Sequence, residues 1–319
     1  MVISTPSAAS VPRIIVGTES IGSVLPDALV TRREREAWLR YLDGVVDAGC
    51  TAFDLAASYQ LGGTERLFGH WLETRRHRDR LFLIGKGGHP YPILKPNRLS
   101  AEDLASDLHA SLRRLRIGRL DLYMLHRDHP HANITTLAET LVGFERQGKI
   151  AAIGVSNWQH RRVEELVTAL ATHGATLAAV SPQFSLAAWT HPPWPGCVSI
   201  AGPAGAAART YYTRAQLPVF AWSPLSRGYF ANGGHEPAIY ATAANAARRS
   251  RAQALAKREA CTPTQLALAY VLGQNFPARA IVASRSVDNM KQNLHAPSVS
   301  LSAADIGWLE NGEAHEARA

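Results

Sequence analysis

Short apolar runs rich in β-branched residues recur along the chain, and each is followed by a longer stretch with helical spacing of apolar positions. Strands that alternate with helices are typical of a parallel sheet, and unbroken apolar strands suit a sheet buried on both faces. The pattern therefore predicts an α/β protein. Its eight predicted strands end at Gly17, Asp54, Lys86, His126, Ser156, Gln183, near Trp222, and at Ser284.

Eight repeats of this kind fit a closed (β/α)8 TIM barrel better than an open doubly wound sheet, which usually has fewer strands. No linker-like change in composition divides the chain, so residues 1–319 are predicted to form a single domain. The longest interval between strands predicts extra helices at about Ala238–Arg258 and Thr264–Gln274. Segments 87–97 and 189–205 are rich in proline and glycine. On a barrel they would lie at the carboxyl-terminal face, where active sites form.

The total positive charge of the chain would suit a polyanionic partner, but the distribution of that charge along the sequence does not. The chain carries 34 basic and 26 acidic side chains, a formal charge of +8 and an isoelectric point of about 9.7. Its basic clusters are scattered through segments patterned as amphipathic helices, so we expect most of them on solvated helix faces. They are Arg32, Arg33, Arg35, Arg75, Arg76, Arg78, Arg113, Arg114, Arg116, Arg248, Arg249 and Arg251. No nucleic-acid partner is predicted, because the sequence contains no nucleic-acid-binding motif.

Cysteine usage and hydropathy bear on the compartment. Cys50, Cys197 and Cys261 lie far apart and form no C-x-x-C pair, which argues against a disulfide framework or a zinc ribbon. The first twenty residues lack the basic and apolar regions of a signal peptide. No apolar run approaches the roughly 18 to 20 residues of a membrane helix. We therefore expect a cytoplasmic protein without a membrane partner; its oligomeric state stays open.

Common nucleotide and metal motifs are missing from the sequence. Neither a G-x-G-x-x-G run nor a P-loop occurs. The string HRDHPHAN at 126–133 matches a protein-kinase catalytic loop by letter, but the other kinase motifs are absent. His126, His129 and His131 have no cysteine or carboxylate at ligand spacing, so no metal is predicted.

Four residues with complementary chemistry end successive strands or follow them. Asp54, Lys86 and His126 end the second, third and fourth runs, and Tyr59 comes five residues after Asp54. Any one of them alone is typical of a surface polar residue that terminates a strand. Four together converge on the mouth of a barrel, which is where barrel enzymes do chemistry.

Together these four side chains suit proton transfer. A phenol has an unperturbed pKa of roughly 10, so Tyr59 needs a nearby cation to stabilise its phenolate, and Lys86 is expected to supply it. Asp54 would keep the ammonium protonated and oriented through a partly buried ion pair. His126 would donate a hydrogen bond to a substrate carbonyl. The set predicts a tyrosine general acid for carbonyl reduction.

Seven stretches of the chain resemble the aldo-keto reductase superfamily, in the order in which that family has them. They are GCTAFDLAASYQLGGTERLFG, LFLIGKGG, DLYMLHRD, GKIAAIGVSN, SPQFS, VFAWSPLSRG and IVASRSVDNMKQNL. The resemblance spans nearly the whole chain. It implies a barrel that binds NADPH across its carboxyl-terminal face without a Rossmann motif and transfers hydride to an aldehyde or ketone. It also implies a catalytic tetrad of Asp54, Tyr59, Lys86 and His126, with Tyr59 as the proton donor.

The same resemblance implies three groups of cofactor-binding residues. Those expected at the nicotinamide are Ser156, Asn157 and Gln183, which would bond its carboxamide, and Trp222, which would stack on its ring where the family often has tyrosine. Those expected at the pyrophosphate are Ser223, Leu225, Arg227 and Gly228. Those expected at the adenosine are Ser284, Arg285, Asn289, Gln292 and Asn293.

The chain departs from the family pattern in the adenosine segment. Members that prefer NADPH often carry a lysine just before the position of Ser284 and an arginine at the position of Asn289, but this chain has Ala283 and Asn289. Arg285 is the nearby cation left to meet a 2′-phosphate. NADPH is therefore the favoured cofactor, and NADH is the alternative.

The substrate pocket is expected to be bordered by loops that carry Tyr91, Arg127, His129, Trp189 and Trp194. Polar residues after His126 favour a polyhydroxylated or anionic carbonyl substrate, such as a sugar, while the tryptophans suit either sugar faces or an apolar pocket. The predicted function is NAD(P)H-dependent reduction of this small-molecule carbonyl to its alcohol. The alternative is a slow-turnover nucleotide-binding protein with a regulatory or redox-sensing role, as potassium-channel β subunits of the superfamily are thought to be.

Overall fold

Eight parallel strands close into a barrel. The computed structural model describes residues 11–91, 95–231 and 236–312. Each strand pairs with the next in sequence, and β1 closes on β8 with Val16 opposite Val282. The (β/α)8 barrel expected from the sequence is therefore confirmed. The strands are β1 Ile14–Gly17, β2 Ala52–Asp54, β3 Phe82–Gly87, β4 Leu122–Leu125, β5 Ile153–Ser156, β6 Leu177–Ser181, β7 Val219–Trp222 and β8 Ala278–Val282.

The helices surround the barrel, and several begin at a short polar side chain that caps the first turn. Thr31, Ser100 and Asn133 each accept a hydrogen bond from the backbone N–H three residues later. The described helices are α1 Arg32–Asp47, α2 Gly63–Arg75, α3 Ala101–Leu115, α4 Ile134–Arg146, α5 His160–Ala171, α6 Ala206–Ala215, α7 Ala243–Arg258, α8 Pro263–Leu272, α9 Val287–Asn293 and α10 Ala303–Asn311.

Two apolar layers hold the strands in place. Alternate strand residues point to opposite faces of a sheet, so Ile15 packs inside the barrel while Ile14 and Val16 pack against the helices. The inner layer contains few side chains from each strand, Ile84 of β3 and Met124 of β4 among them. The outer layer is much larger and joins the strands to the helices. Each strand is buried on both sides, which explains its unbroken apolar sequence.

Element boundaries differ from the predicted ones where proline or a cap intervenes. The predicted helix at 238–258 begins only at Ala243, because Thr242 caps α7 and a separate turn occupies Ala238–Tyr240. The helix predicted at 264–274 spans Pro263–Leu272. The sixth strand ends at Ser181 and not at Gln183, since Pro182 between them has no N–H for the ladder.

Of the twelve clustered arginines, most of which are expected on solvated helix faces, six are exposed, five are partly buried and one is buried. Arg248 is buried and donates to the Asn245 side chain and the Glu310 carbonyl. Arg114 pairs with the fully buried Glu65. The long arginine stem covers apolar surface while the guanidinium meets a polar group at the edge of the core. The other arginines of these clusters that are not exposed are Arg35, Arg78, Arg249 and Arg251.

Candidate active site

The period of two along each strand carries polar side chains to the barrel mouth. Ala52, Ile84 and Met124 pack inside the barrel. The residues two positions further along are Asp54, Lys86 and His126, so they emerge on the inner side at the carboxyl end of their strands. Ser156 and Trp222 occupy the equivalent places on β5 and β7. Five of the eight strands thus converge on one site.

Tyr59 reaches the same place from a strained turn after β2. A 3-10 turn spans Tyr59–Gly62, and its residues Gln60, Leu61 and Gly62 have φ angles of 49°, 52° and 81°. A left-handed conformation costs roughly 1–2 kcal/mol for a residue with a Cβ. The turn reverses the chain into α2 and leaves Tyr59 beside the strand ends. The surrounding structure maintains strain at this position, as is common at functional sites.

Lys86 is the centre of a buried hydrogen-bonded group. Its Nζ lies 2.6 Å from Asp54 Oδ1 and donates to Tyr59 Oη over 2.9 Å. It also donates to the Leu55 carbonyl over 3.2 Å. The Tyr59 hydroxyl in turn donates to Asp54 Oδ2 over 3.3 Å. The ammonium therefore has one ion-pair partner and two hydrogen-bond acceptors in the protein, one of which is the phenol oxygen.

Burial determines how the phenol and the ammonium of this group titrate. Burial, and then the neighbouring Asp54 carboxylate, raise the pKa of Tyr59 well above its usual value. Burial lowers the pKa of Lys86, and its ion pair with Asp54 opposes that change. The expected stabilisation of the Tyr59 phenolate by Lys86 concerns the ionised phenol and stays a prediction. The phenol keeps its proton at neutral pH, which is the form that a proton donor requires.

His126 is a neutral imidazole beside the phenol. Burial, followed by the positive charges of Lys86 and Arg127, holds its pKa well below the usual range. Its ring meets that of Tyr59 edge-on at 5.8 Å and that of His89 at 4.8 Å. A neutral imidazole has one N–H donor and one acceptor nitrogen. His126 is thus suited to hydrogen-bond a neutral oxygen without transferring a proton to it.

A cleft of about 1260 Å³ opens over the four side chains and runs across the carboxyl ends of the strands. It continues to the start of α9, so it is one cavity from the phenol to the adenosine segment predicted from the sequence. The predicted site residues that line it are Asp54, Tyr59, Lys86, His126, Arg127, Ser156, Asn157, Trp194, Trp222, Ser223, Leu225, Arg227, Gly228, Ser284, Asn289, Gln292 and Asn293.

Five predicted residues do not line this cleft. Gln183 is fully buried, and its amide is bonded to Ser185 and Ser199. Arg285 is exposed, next to the lining residue Ser284. The other three lie behind or beside the lining: Tyr91 under the Arg98 guanidinium, His129 against His131, and Trp189 against Trp222.

Asn157 and Trp222 form a fixed pair in the middle of the cleft. The indole Nε1 donates to Asn157 Oδ1 over 3.2 Å, and the Asn157 amide donates to Ser156 Oγ over 2.9 Å. Asn157 has a left-handed φ of 59°, a conformation that asparagine tolerates better than most residues. The Trp222 ring stacks on Trp194 with centroids 6.0 Å apart. The pair therefore presents polar atoms and an aromatic surface together.

The loop after β7 combines left-handed backbone with an exposed guanidinium. Ser223, Ser226, Arg227 and Gly228 have φ angles of 51°, 50°, 57° and 85°. Successive turns between right- and left-handed conformations make concave backbone sites that favour anions. Arg227 is exposed at the edge of the cleft. Charge and backbone shape are both suitable for a phosphate here.

Sequence reasoning missed several residues at the catalytic end. Ser58 Oγ lies 3.5 Å from His126 Nδ1, and His89 packs on the same ring. Thr18 Oγ1 donates to the Asp54 carbonyl over 2.7 Å and fixes the end of β2. His89 lies in the segment 87–97 that proline and glycine content singled out. The other two follow strands β1 and β2, and only their position after a strand could have indicated them.

Two classes of site are not found in the part of the chain that the structure describes. Within residues 11–91, 95–231 and 236–312, no three histidine, cysteine or acidic side chains are grouped so that they could hold a metal ion. In the same ranges no helix has the length and apolar character needed to cross a bilayer.

The chain belongs to the aldo/keto reductase family, whose model matches residues 13–311. It is similar to the methylglyoxal reductase YeaE of Escherichia coli, with 27% identity over 87% of this chain and 84% of that protein. It is 23% identical to the aldo-keto reductase yakc [NADP(+)] of Schizosaccharomyces pombe over 93% and 90% of the two chains. The crystal structure of the thermostable aldo-keto reductase Tm1743 superposes with a TM-score of 0.74, covering 94% of each chain at 23% identity.

Proposed function

We propose that this protein reduces an aldehyde or ketone to the alcohol with NADPH, and that Tyr59 donates the proton. The observation that carries the proposal is the direct hydrogen bond from Lys86 Nζ to Tyr59 Oη inside a buried ion pair with Asp54. An ion pair that only stabilised the fold would not require a phenol at the surface of a cleft. A general acid that protonates a substrate carbonyl oxygen must lie at such a surface.

The residues divide the work of protonation between them. Reduced nicotinamide, when bound, would supply the hydride to the carbonyl carbon. His126 would donate its N–H to the carbonyl oxygen and orient it towards Tyr59. As negative charge develops on that oxygen, Tyr59 would release its proton to it. Lys86 would then stabilise the phenolate across the 2.9 Å hydrogen bond, while Asp54 keeps the ammonium charged and in place.

The cleft has the dimensions and chemistry that a dinucleotide requires. It is continuous from the tetrad to α9 and has an aromatic surface in the middle, at Trp222. Ser156 and Asn157 would bond the nicotinamide carboxamide, while the loop Ser223–Gly228 would hold the pyrophosphate. The lining residues Ser284, Asn289, Gln292 and Asn293 would contact the adenosine.

Gln183 fits this proposal only as a support behind the carboxamide site, since its own amide is already bonded to two serines. Arg285 is exposed beside Ser284, and from there its guanidinium would bind a 2′-phosphate bidentately. That position supports NADPH, with NADH as the weaker cofactor. The name of the fission-yeast relative carries NADP(+), and YeaE is named for reduction of methylglyoxal, a small carbonyl compound. Both names agree with the proposed reaction.

The test compares binding with turnover. NADPH fluorescence should change when the protein is added, and NADPH should then be consumed with at least one member of a panel of aldehydes, ketones and sugars. Binding without consumption on the whole panel would contradict the proposed activity and favour the slow-turnover regulatory alternative. Absence of any NADPH or NADH binding would contradict both.

A further inference from the structure

Arg127 is a buried cation that faces the cleft and has no counter-ion within the described part of the chain. Its side chain follows His126 at the end of β4, and the residue is only 7% exposed. One hydrogen bond, from Nη1 to the His126 carbonyl over 3.0 Å, holds the guanidinium. In residues 11–91, 95–231 and 236–312 no carboxylate forms an ion pair with it. A guanidinium has five N–H donors, so most of its hydrogen-bonding capacity is unused by the described protein.

Other buried arginines of this chain are satisfied differently. Arg98 is 8% exposed and lies 2.6 Å from the Asp107 carboxylate. Arg248, also 8% exposed, donates to a side-chain amide oxygen and to a backbone carbonyl. Burial of a charge without such partners is costly. The guanidinium of Arg127 is therefore available to bind an anionic group of a ligand.

Its surroundings locate that partner beside the reacting carbonyl. The positive charge of Arg127 contributes to the lowered pKa of His126 and partly opposes the rise in the pKa of Tyr59, so it acts on both proposed catalytic groups. The Trp194 ring lies 6.0 Å from the guanidinium and stacks on Trp222 in the same cleft. Arg127 thus lines the same cleft as the proton donor Tyr59 and the stacked tryptophans.

The charge count near the tetrad favours a single negative charge on the ligand. Asp54 neutralises Lys86, and burial keeps His126 and His89 neutral by lowering their pKa values. The exposed Glu19 at the cleft edge attracts Arg127 electrostatically but forms no ion pair with it among the described residues. One uncompensated guanidinium matches a carboxylate, which it can bind through two parallel N–H bonds. A phosphate dianion would call for further cations.

From this geometry we infer that Arg127 binds a carboxylate on the substrate, so that the preferred substrates are carbonyl compounds bearing a carboxylate group. The inference rests on the proposed reductase function and narrows its substrate class. Arg127 would place the acid end of the substrate against Trp194 while the carbonyl end lies at His126 and Tyr59. Loss of a charged hydrogen bond of this kind costs about tenfold to a hundredfold in affinity.

The test uses substrate pairs that differ only in charge. 4-Carboxybenzaldehyde is compared with its methyl ester, and succinic semialdehyde with its methyl ester, both with NADPH. The ratio of kcat/KM for acid over ester should be about 10 or more in at least one pair for the wild type. That ratio should fall towards 1 in Arg127→Met and be partly retained in Arg127→Lys. Arg161→Met, which removes an exposed arginine of α5, is the matched charge control and should leave the ratio unchanged.

The possible outcomes distinguish failure of carboxylate recognition by Arg127 from failure of the proposed reductase function. If neither wild-type acid is preferred over its ester, or if Arg127→Met lowers both members of a pair equally, Arg127 does not recognise a carboxylate, although the reductase function stands. If no carbonyl compound is reduced, the function itself fails. Should Arg127→Met not fold, inhibition of the wild type decides: benzoate should compete with an uncharged aldehyde at least about tenfold better than benzamide. Equal inhibition would overturn the inference.

Discussion

The two ends of the cleft differ in how their polar groups are held. At the catalytic end, Asp54 and Lys86 are 3% and 2% exposed and form an ion pair that also contacts Tyr59. At the nucleotide end, Arg227 and Arg285 are exposed, and within the described residues neither forms an ion pair. The first region is organised by the protein itself. The second leaves its charges exposed to solvent.

This difference separates two kinds of effect on activity. Preorganised dipoles and charges act on the transition state, and their loss lowers the rate of the chemical step. Exposed charges that meet a ligand act on its affinity and on the choice between ligands. Substitutions at the catalytic end should therefore lower kcat, and those at the nucleotide end should change cofactor preference.

A large loss of activity is expected at Lys86. Lys86→Met removes the ammonium that contacts both Asp54 and Tyr59, so kcat for carbonyl reduction should fall by about 100-fold or more. NADPH fluorescence should still report binding. Lys257→Met, at an exposed position of α7, is the matched control and should keep wild-type kcat. Because a broken buried pair also destabilises a fold, the melting temperature is measured in parallel. A folded Lys86→Met protein with wild-type kcat would show that this end of the cleft does not control the rate of the chemical step, and would contradict the comparison.

A smaller, selective effect is expected at Arg285. Arg285→Ala should lower the ratio of kcat/KM for NADPH over NADH by about tenfold, because a charge-assisted contact to the 2′-phosphate is lost. The NADH values themselves should change little, since NADH has no such phosphate. Arg161→Ala is a suitable control for net charge. An unaltered ratio in Arg285→Ala would show that this exposed arginine takes no part in cofactor choice.

A change remote from both regions should affect stability alone. Ser302 caps α10, and its side chain and Asp305 form reciprocal hydrogen bonds with each other's backbone N–H. Ser302→Ala should cost about 1 kcal/mol in the free energy of unfolding and lower the melting temperature by about 2 °C. Thermal unfolding and steady-state assays of the same preparation measure both. A loss of kcat beyond the loss of folded protein would connect α10 with the site.

The smallest effect concerns pH. Burial raises the pKa of Tyr59 and lowers that of His126. The proton of Tyr59 is lost only as pH rises through its raised pKa, and His126 gains a proton only as pH falls through its lowered one. The kcat for reduction should therefore stay nearly constant from about pH 7 to about pH 9. A steep fall between those values in the pH profile would mean that the phenol, or the Lys86 ammonium whose pKa burial lowers, titrates in this range.

Much of the fold and of the catalytic end could be predicted from the sequence because both depend on strands. The inner positions of Asp54, Lys86 and His126 follow from the alternation of β2, β3 and β4 once a barrel is assumed. Tyr59 lies only five residues beyond a strand. Its titration could not be predicted, because the balance between burial, Asp54 and Lys86 depends on distances that only the folded protein sets.

Loops and long side chains were harder to predict. Gln183 was placed at the end of a strand and at the nicotinamide, but Pro182 ends the pairing and the amide turns into the protein to bond Ser185 and Ser199. Tyr91 packs under Arg98 instead of lining the cleft. Arg248 sits on a helix patterned as exposed and is buried by contacts with α10, 62 residues away in sequence. Such contacts arise from tertiary packing, which local pattern does not encode.

The central claim is that Tyr59 supplies the proton for carbonyl reduction. Its most direct test is a single-turnover stopped-flow experiment in which enzyme saturated with NADPH is mixed with an aldehyde that the wild type reduces. We predict that Tyr59→Phe binds NADPH with an affinity close to that of the wild type but oxidises it about 100- to 10,000-fold more slowly. NADPH oxidation by Tyr59→Phe at the wild-type rate would contradict the claim.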